Sequence, residues 1–218
     1  MKFLVTRPSP GGEATAARLR HAGHDVVLTP LLAIEAVPWT PPDGPHDAVM
    51  LTSAAAARLS GADAKLQGLP CFTVGSATAA AAQASGWHDV RTAEGDVQAL
   101  VDQLAATGMG QVLHLAGEDR TPVTLPPGLH VTTAIVYRAV LQPLPAVPAV
   151  DWVLLYSSRT AGHFGAECDR IGKARDGLSI AAISPEVLTA AGPGWRIAVA
   201  AAAPNEEALL AATGVSCQ

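Results

Sequence analysis

Short runs of consecutive apolar residues alternate along this chain with longer stretches in which Ala and Leu recur at helical spacing. KFLVT (Lys2 to Thr6), DVVLTP, AVMLTS (Ala48 to Ser53), CFTVGS (Cys71 to Ser76) and QVLHLAG read as strands. So do DVRTA, VTTAIVYRAVL (Val131 to Leu141), WVLLYSS (Trp152 to Ser158), SIAAIS (Ser179 to Ser184) and RIAVAA (Arg196 to Ala201). Apolar runs of this length, without strict alternation, suit strands covered on both faces. Between them EATAARLRHAG, AAAARLS, ATAAAAQASG, DVQALVDQLAATG and NEEALLAATG read as helices, most of them closing on glycine, a C-terminal stop signal. The alternation predicts an α/β fold with parallel sheets flanked by helices.

The pattern also repeats. AVMLTSAAAARL resembles WVLLYSSRTAGHF, and LPCFTVGSATAAAAQASGW resembles LSIAAISPEVLTAAGPGW in the same order. Two similar α/β domains follow. The Pro-rich crossings at 31–45 and 136–150 predict that one domain is inserted in the other. The first is discontinuous, 1–35 with 141–218, and the second is 38–137, with linkers near 36–37 and 138–140. Two linkers predict a hinged, bilobed molecule, and clefts between domains are preferred ligand sites.

Composition narrows the classes. The 218 residues are 49% hydrophobic and 15% charged, enough for a buried core. Aromatics are only 4%, so Ala, Val and Leu must fill that core. Net charge is −5 and no basic stripe is present, which argues against nucleic-acid binding. No apolar run approaches the ~18 residues of a membrane span, and FLV near the start is too short for a signal segment. The three cysteines, Cys71, Cys168 and Cys217, are scattered. That spacing argues against a zinc site and fits the cytoplasm.

Several predicted strands end in a small polar residue just before a helix: Thr52-Ser53, Gly75-Ser76-Ala77-Thr78, Ser157-Ser158 and Ser184. Helix starts at the carboxyl ends of parallel strands offer free N–H groups and a positive dipole end, suited to carboxylate or phosphate. The same residues are also ordinary helix caps. Arg7, in TRP after the first strand, is a candidate bidentate partner for an anion. Arg120, Arg138 and Arg159 are weaker ones. Tyr137 could present a hydroxyl to the cleft as a weak general acid. Tyr156, in mid-strand, reads as core. The seven histidines have no metal-binding spacing, and His114 reads as an ordinary strand residue. A GxSxG elbow and a Walker A loop are both absent, and no cofactor is implied.

FLVTRP, LxxAGHDVVLTPLLAIE, VMLTSAAAAR and FTVGSATAAAAQASGW, followed by VYRAV, LLYSSRTAGHF and PNEEALLAA, resemble the uroporphyrinogen-III synthase family over nearly the whole chain. The resemblance implies a cofactor-free lyase that closes linear hydroxymethylbilane into uroporphyrinogen III while inverting ring D. The implied route loses the hydroxyl to give an azafulvene, forms a spiro pyrrolenine, and recombines with the ring inverted. Unaided, the bilane closes to the symmetrical I isomer, so the catalyst must mainly hold a substrate conformation. Tyr137 matches the tyrosine of the family's VY motif, implying assistance to the leaving hydroxyl. The implied substrate-binding residues are Arg7, Thr52, Ser53, Gly75, Ser76, Thr78, Ser158 and Ser184.

The substrate carries eight carboxylates, so acidic side chains are expected away from the cleft mouth. Three turns depart from the family pattern: Ser184-Pro185 stands where many relatives have Gly and Thr, Ala116 where an arginine often precedes Gly117, and YSSRTA is looser than the usual TSP-like turn. The resemblance implies a monomer, leaves room for transient contact with hydroxymethylbilane synthase, and implies neither nucleic acid nor membrane as partner. The rival reading is a non-catalytic bilobed anion-binding or regulatory module, which would bind without producing an isomer.

Overall fold

The computed structural model describes residues 1–61 and 64–215; Cys217 lies outside the described residues. From the N-terminus the chain forms β1 (Lys2–Val5), α1 (Gly11–His21), β2 (Asp25–Leu28) and β3 (Leu32–Ala36). The middle stretch forms β4 (Ala48–Leu51), α2 (Ala54–Leu59), the single turn α3 (Ala64–Gln67), β5 (Cys71–Val74) and α4 (Ser76–Ala84). It continues through β6 (Val90–Ala93), α5 (Val97–Ala106), β7 (Gln111–Gly117) and β8 (His130–Leu141). The last stretch forms β9 (Trp152–Leu155), α6 (Ser158–Arg170), β10 (Ser179–Ala182), α7 (Pro185–Ala191), β11 (Ile197–Ala200) and α8 (Glu206–Ala211).

Helix starts follow the cap chemistry of the sequence. Ser53 Oγ accepts from Ala55 N at 3.1 Å, and Asp96 Oδ1 accepts from Gln98 N and Ala99 N at 3.0 Å each. Ser157 Oγ accepts from Thr160 N at 3.2 Å, and Asn205 Oδ1 from Ala208 N at 2.9 Å. Each satisfies N–H groups that a helix leaves without partners, a contribution of about 1 kcal/mol per cap.

The chain divides into two compact units: Met1–Ala33 with Val140–Gln218, and Ile34–Ala139. The first holds a five-stranded sheet, ordered β11-β10-β9-β1-β2, with every neighbouring pair parallel. The sheet of the second is ordered β3-β8-β7-β4-β5-β6 and is parallel from β8 to β6. The two share one plan. In each, a run from a middle strand (β9 or β4) steps outward through two more, and β1-β2 or β7-β8 lies on the other side. The internal repeat thus appears as β4-α2-β5-α4-β6-α5 against β9-α6-β10-α7-β11-α8. In each sheet the strand order reverses once, between β9 and β1 and between β4 and β7.

Both faces of each sheet are covered, which explains the unbroken apolar runs. In the first unit Leu4, Val153, Leu155 and Ile180 pack under α6, while Phe3, Val5 and Leu154 pack with Leu19 of α1 and Leu209 and Leu210 of α8. In the second, Val49, Leu51, Leu113 and Leu115 pack with Ala56 and Ala82 of α2 and α4. Met50, Phe72 and Val112 pack with Leu100 and Leu104 of α5. Fully burying each large side chain contributes about 1.5–3 kcal/mol. One difference breaks the parallel: β1 reaches β2 through α1, but β7 reaches β8 through residues 118–129, which form no helix.

Candidate active site

Open α/β sheets bind ligands beyond the carboxyl ends of their strands, where the strand order reverses. In the second unit that place lies after β4 and β7. Thr52 and Ser53 follow β4 directly, and Gly117 closes β7. Opposite Gly117 the register of β8 slips: Ala116 pairs with Ile135, but Gly117 pairs with Tyr137. A bulge of this kind re-aims a side chain. Here it brings the phenol over Gly117, the one residue type with no side chain to obstruct it. Glu118 N donates to Tyr137 O at 3.0 Å and fixes the turn. Thr52, Ser53, Asp96, His114, Gly117 and Tyr137 line the resulting cavity of about 390 Å³.

His114 is 7% exposed, and its Nε2 stands 3.1 Å from Thr52 Oγ1. Burial, with the positive charge of Arg120 nearby, lowers its pKa from 6.5 to about 4, so the ring is neutral near pH 7. Two carboxylates, Asp96 and Asp119, line this cavity as well. The charge of Asp96 is met by the two helix N–H groups that it caps. The cavity therefore presents hydroxyls, a neutral imidazole and a phenol, together with the Asp96 and Asp119 carboxylates and the Arg120 guanidinium.

The matching place in the first unit lies after β9 and β1. Arg7, Leu32, Tyr156, Ser157 and Thr160 line a cavity of about 350 Å³. The Arg7 guanidinium lies 4.6 Å from the centre of the Tyr156 ring, and its Nη1 is 3.9 Å from Glu206 Oε1. Tyr156 Oη donates to Glu206 Oε1 at 3.4 Å, and burial pushes its pKa up to about 12. Glu206 also takes a hydrogen bond from Thr15 and one from Arg18 at 2.5 Å. Tyr156 lies one residue beyond β9, not in mid-strand, so it packs its ring on the core and turns its hydroxyl to this network.

The sequence-derived candidates divide accordingly. Tyr137, Thr52 and Ser53 come together in one cavity, and Arg7 lines the other. Ser157, not Ser158, caps α6 and lines the cavity of Arg7; Ser158 is the first helical residue and is exposed. Gly75, at φ +74°, and Ser76 are exposed at the start of α4, and Thr78 is buried within it. Ser184 caps α7. These four, with Ser158, line neither cavity. His114 is the residue that sequence reasoning passed over; its signal is an ionisable side chain inside a buried apolar strand. Among the described residues no cluster of His, Cys, Asp and Glu could hold a metal ion, and no helix is long and apolar enough to cross a membrane.

Known proteins supply the comparison. The model of the uroporphyrinogen-III synthase (HemD) family matches residues 13–211. No curated protein matches the chain. Among solved structures, uroporphyrinogen-III synthetase from Helicobacter pylori 26695 superposes with a TM-score of 0.63 at 16% identity, covering 97% of each chain. Uroporphyrinogen III synthase from Thermus thermophilus aligns over 98% of each chain at 14% identity, with a TM-score of 0.42. The Helicobacter structure supports the fold, and the family match spans nearly the whole sequence. The chain belongs to the uroporphyrinogen-III synthase family, the cyclising lyases of tetrapyrrole synthesis.

Proposed function

We propose that the chain closes hydroxymethylbilane to uroporphyrinogen III with inversion of ring D, and that the cavity around Tyr137 is where the reacting end of the substrate sits. The observation carrying this reading is the phenol held over Gly117 beside Thr52 and Ser53 at the reversal of strand order. Tyr137 donates a hydrogen bond to the departing hydroxyl; the C–O bond breaks, the hydroxyl and the pyrrole N–H proton leave together as water, and the neutral azafulvene remains. Thr52 and Ser53 hold a substrate carboxylate. Arg7, and the helix starts at Gly75, Ser76, Thr78, Ser158 and Ser184, take others. Most of the acceleration toward isomer III comes from holding the two ends of the bilane together.

The reading extends to a monomer acting in the cytoplasm. It extends also to transient contact with hydroxymethylbilane synthase: a bilane free in solution closes to isomer I, so direct transfer protects the yield of isomer III.

The test is a coupled assay. A deaminase generates the bilane in situ, and the oxidised porphyrin isomers are separated with and without the protein. A shift from isomer I to isomer III is expected, with Tyr137→Phe giving a clear but incomplete loss. Isomer I alone, from folded protein, would favour the non-catalytic anion-binding module instead.

A further inference from the structure

The shared plan of the two sheets allows a residue-by-residue comparison at one place. In the first unit Val5 lies between Leu154 of β9 and Leu28 of β2. In the second, His114 lies between Met50 of β4 and Thr133 of β8. Met50 holds the position of Leu154, the third residue of its strand. His114 therefore stands where Val5 stands, and Thr133 where Leu28 stands.

In the first unit α1 covers this face. Leu19 packs with Val5 and Leu154, and the contact is close: a methyl on Gly12 would lie 2.8 Å from Leu28 Cδ1. In the second unit the helix is replaced by 118–129. So the helical cover is replaced by an irregular segment, and two side chains that are apolar in the first unit are polar here. Changes on both sides of the same space are what a binding pocket needs.

The space is a cavity of about 470 Å³. Met50, Val123 and Val131 form its apolar wall, and His114, Arg120 and Thr133 its polar groups. Arg120 Nη1 donates only to Glu118 O, at 3.4 Å, and forms no carboxylate pair among the described residues. Glu118 lines the cavity too and offers an acceptor. His114, Arg120 and Thr121 line both this cavity and the one around Tyr137.

We propose that this cavity binds one carboxylate-bearing pyrrole ring of the substrate, with the carboxylate on Arg120, the ring against Val123 and Val131, and the ring N–H donating to Glu118. The assignment rests on the reading of the Tyr137 cavity as the reacting site, from which a linear tetrapyrrole extends past His114.

The test has two arms. Isomer-resolved kinetics compare the wild type with Arg120→Gln and with His114→Val/Thr133→Leu, which restores the residues of the first unit and fills the pocket floor. Arg120→Gln is expected to raise KM about tenfold with kcat little changed, through loss of a charge-assisted hydrogen bond. Separately, a synthetic monopyrrole dicarboxylate is titrated into the folded protein while the Thr133 amide resonance is followed. A saturable shift is expected in the wild type and a much weaker one in Arg120→Gln. An unchanged KM in Arg120→Gln, or a Thr133 resonance unmoved by millimolar monopyrrole, overturns the pocket. Wild-type protein yielding only isomer I overturns the parent reading instead, and the titration still decides the pocket.

Discussion

The phenol of Tyr137 occupies the space that a side chain on Gly117 would need: a methyl carbon there would sit 2.5 Å from Cζ and 2.7 Å from Oη. The slipped register of β8 brings the two residues opposite each other. Glycine is thus required at 117 by the tyrosine, not by its own backbone conformation.

Gly117→Ala should therefore act through Tyr137. Forcing a methyl into this contact is expected to cost about 1–3 kcal/mol in urea denaturation. It should also lower the rate of isomer III formation by displacing the phenol. Adding Tyr137→Ala should restore stability but not the rate. A Gly117→Ala protein that keeps full activity would remove Tyr137 from the reaction.

The buried imidazole of His114 gives a pH signature. Its folded pKa, about 4, lies below the unfolded value of 6.5. Between those values the unfolded chain binds more protons than the folded one. Its contribution to stability is therefore complete above pH 6.5 and is lost as pH falls toward 4. Ring resonances followed by NMR should titrate near 4; titration near 6.5 would contradict a desolvated ring.

Glu167 should govern a second, more acidic window. Its carboxylate accepts from Arg170 Nε at 2.7 Å, Arg170 Nη2 at 2.8 Å and Leu144 N at 2.6 Å. The Arg170 hydrogen bonds, then the Leu144 N–H, lower its pKa from 4.5 to about 2. The stability it contributes is present above pH 4.5 and lost as pH falls toward 2. Glu167→Gln should unfold more easily at neutral pH and lack that acid-dependent component when Tm is measured against pH.

Cys71 and Cys168 are buried thiols whose pKa values burial pushes up to about 12 and about 11. The thiolate is the reactive form. Iodoacetamide at pH 8 should leave both unmodified in native protein and label both in denaturant, read by peptide mass mapping. Rapid native labelling of either would show that its covering layer opens readily.

Much of the architecture was legible because it is local. Each apolar run followed by Ser or Thr and an Ala-rich stretch specifies a strand, a cap and a helix with no distant partner. The matching blocks AVMLTS and WVLLYSS carried the common plan of the two sheets. Tyr156 was misplaced because β9 ends at Leu155, a boundary that hydrophobicity does not mark: the tyrosine is apolar enough to prolong the run. His114 was passed over for a different reason. Its surroundings depend on the missing helix between β7 and β8, and on β4 and β8 lying alongside. Thr52 and Tyr137 are 85 positions apart in the chain. What brings them to one cavity is the sheet order and one slipped residue in β8, neither of which has a period to read.

The position of β1 also has a consequence for how the molecule is made. β1 lies between β2, which follows it closely, and β9, which begins at Trp152. Glu206, near the end of the chain, gathers Thr15, Arg18 and Arg7 from its beginning. As the chain leaves the ribosome, β1, α1 and β2 must therefore wait for their partners. Ile34–Ala139 carries its own core without a break in the sequence. That unit is free to fold first, while the edge of β1 that pairs with β9 stays unpaired until Trp152–Leu155 is synthesised.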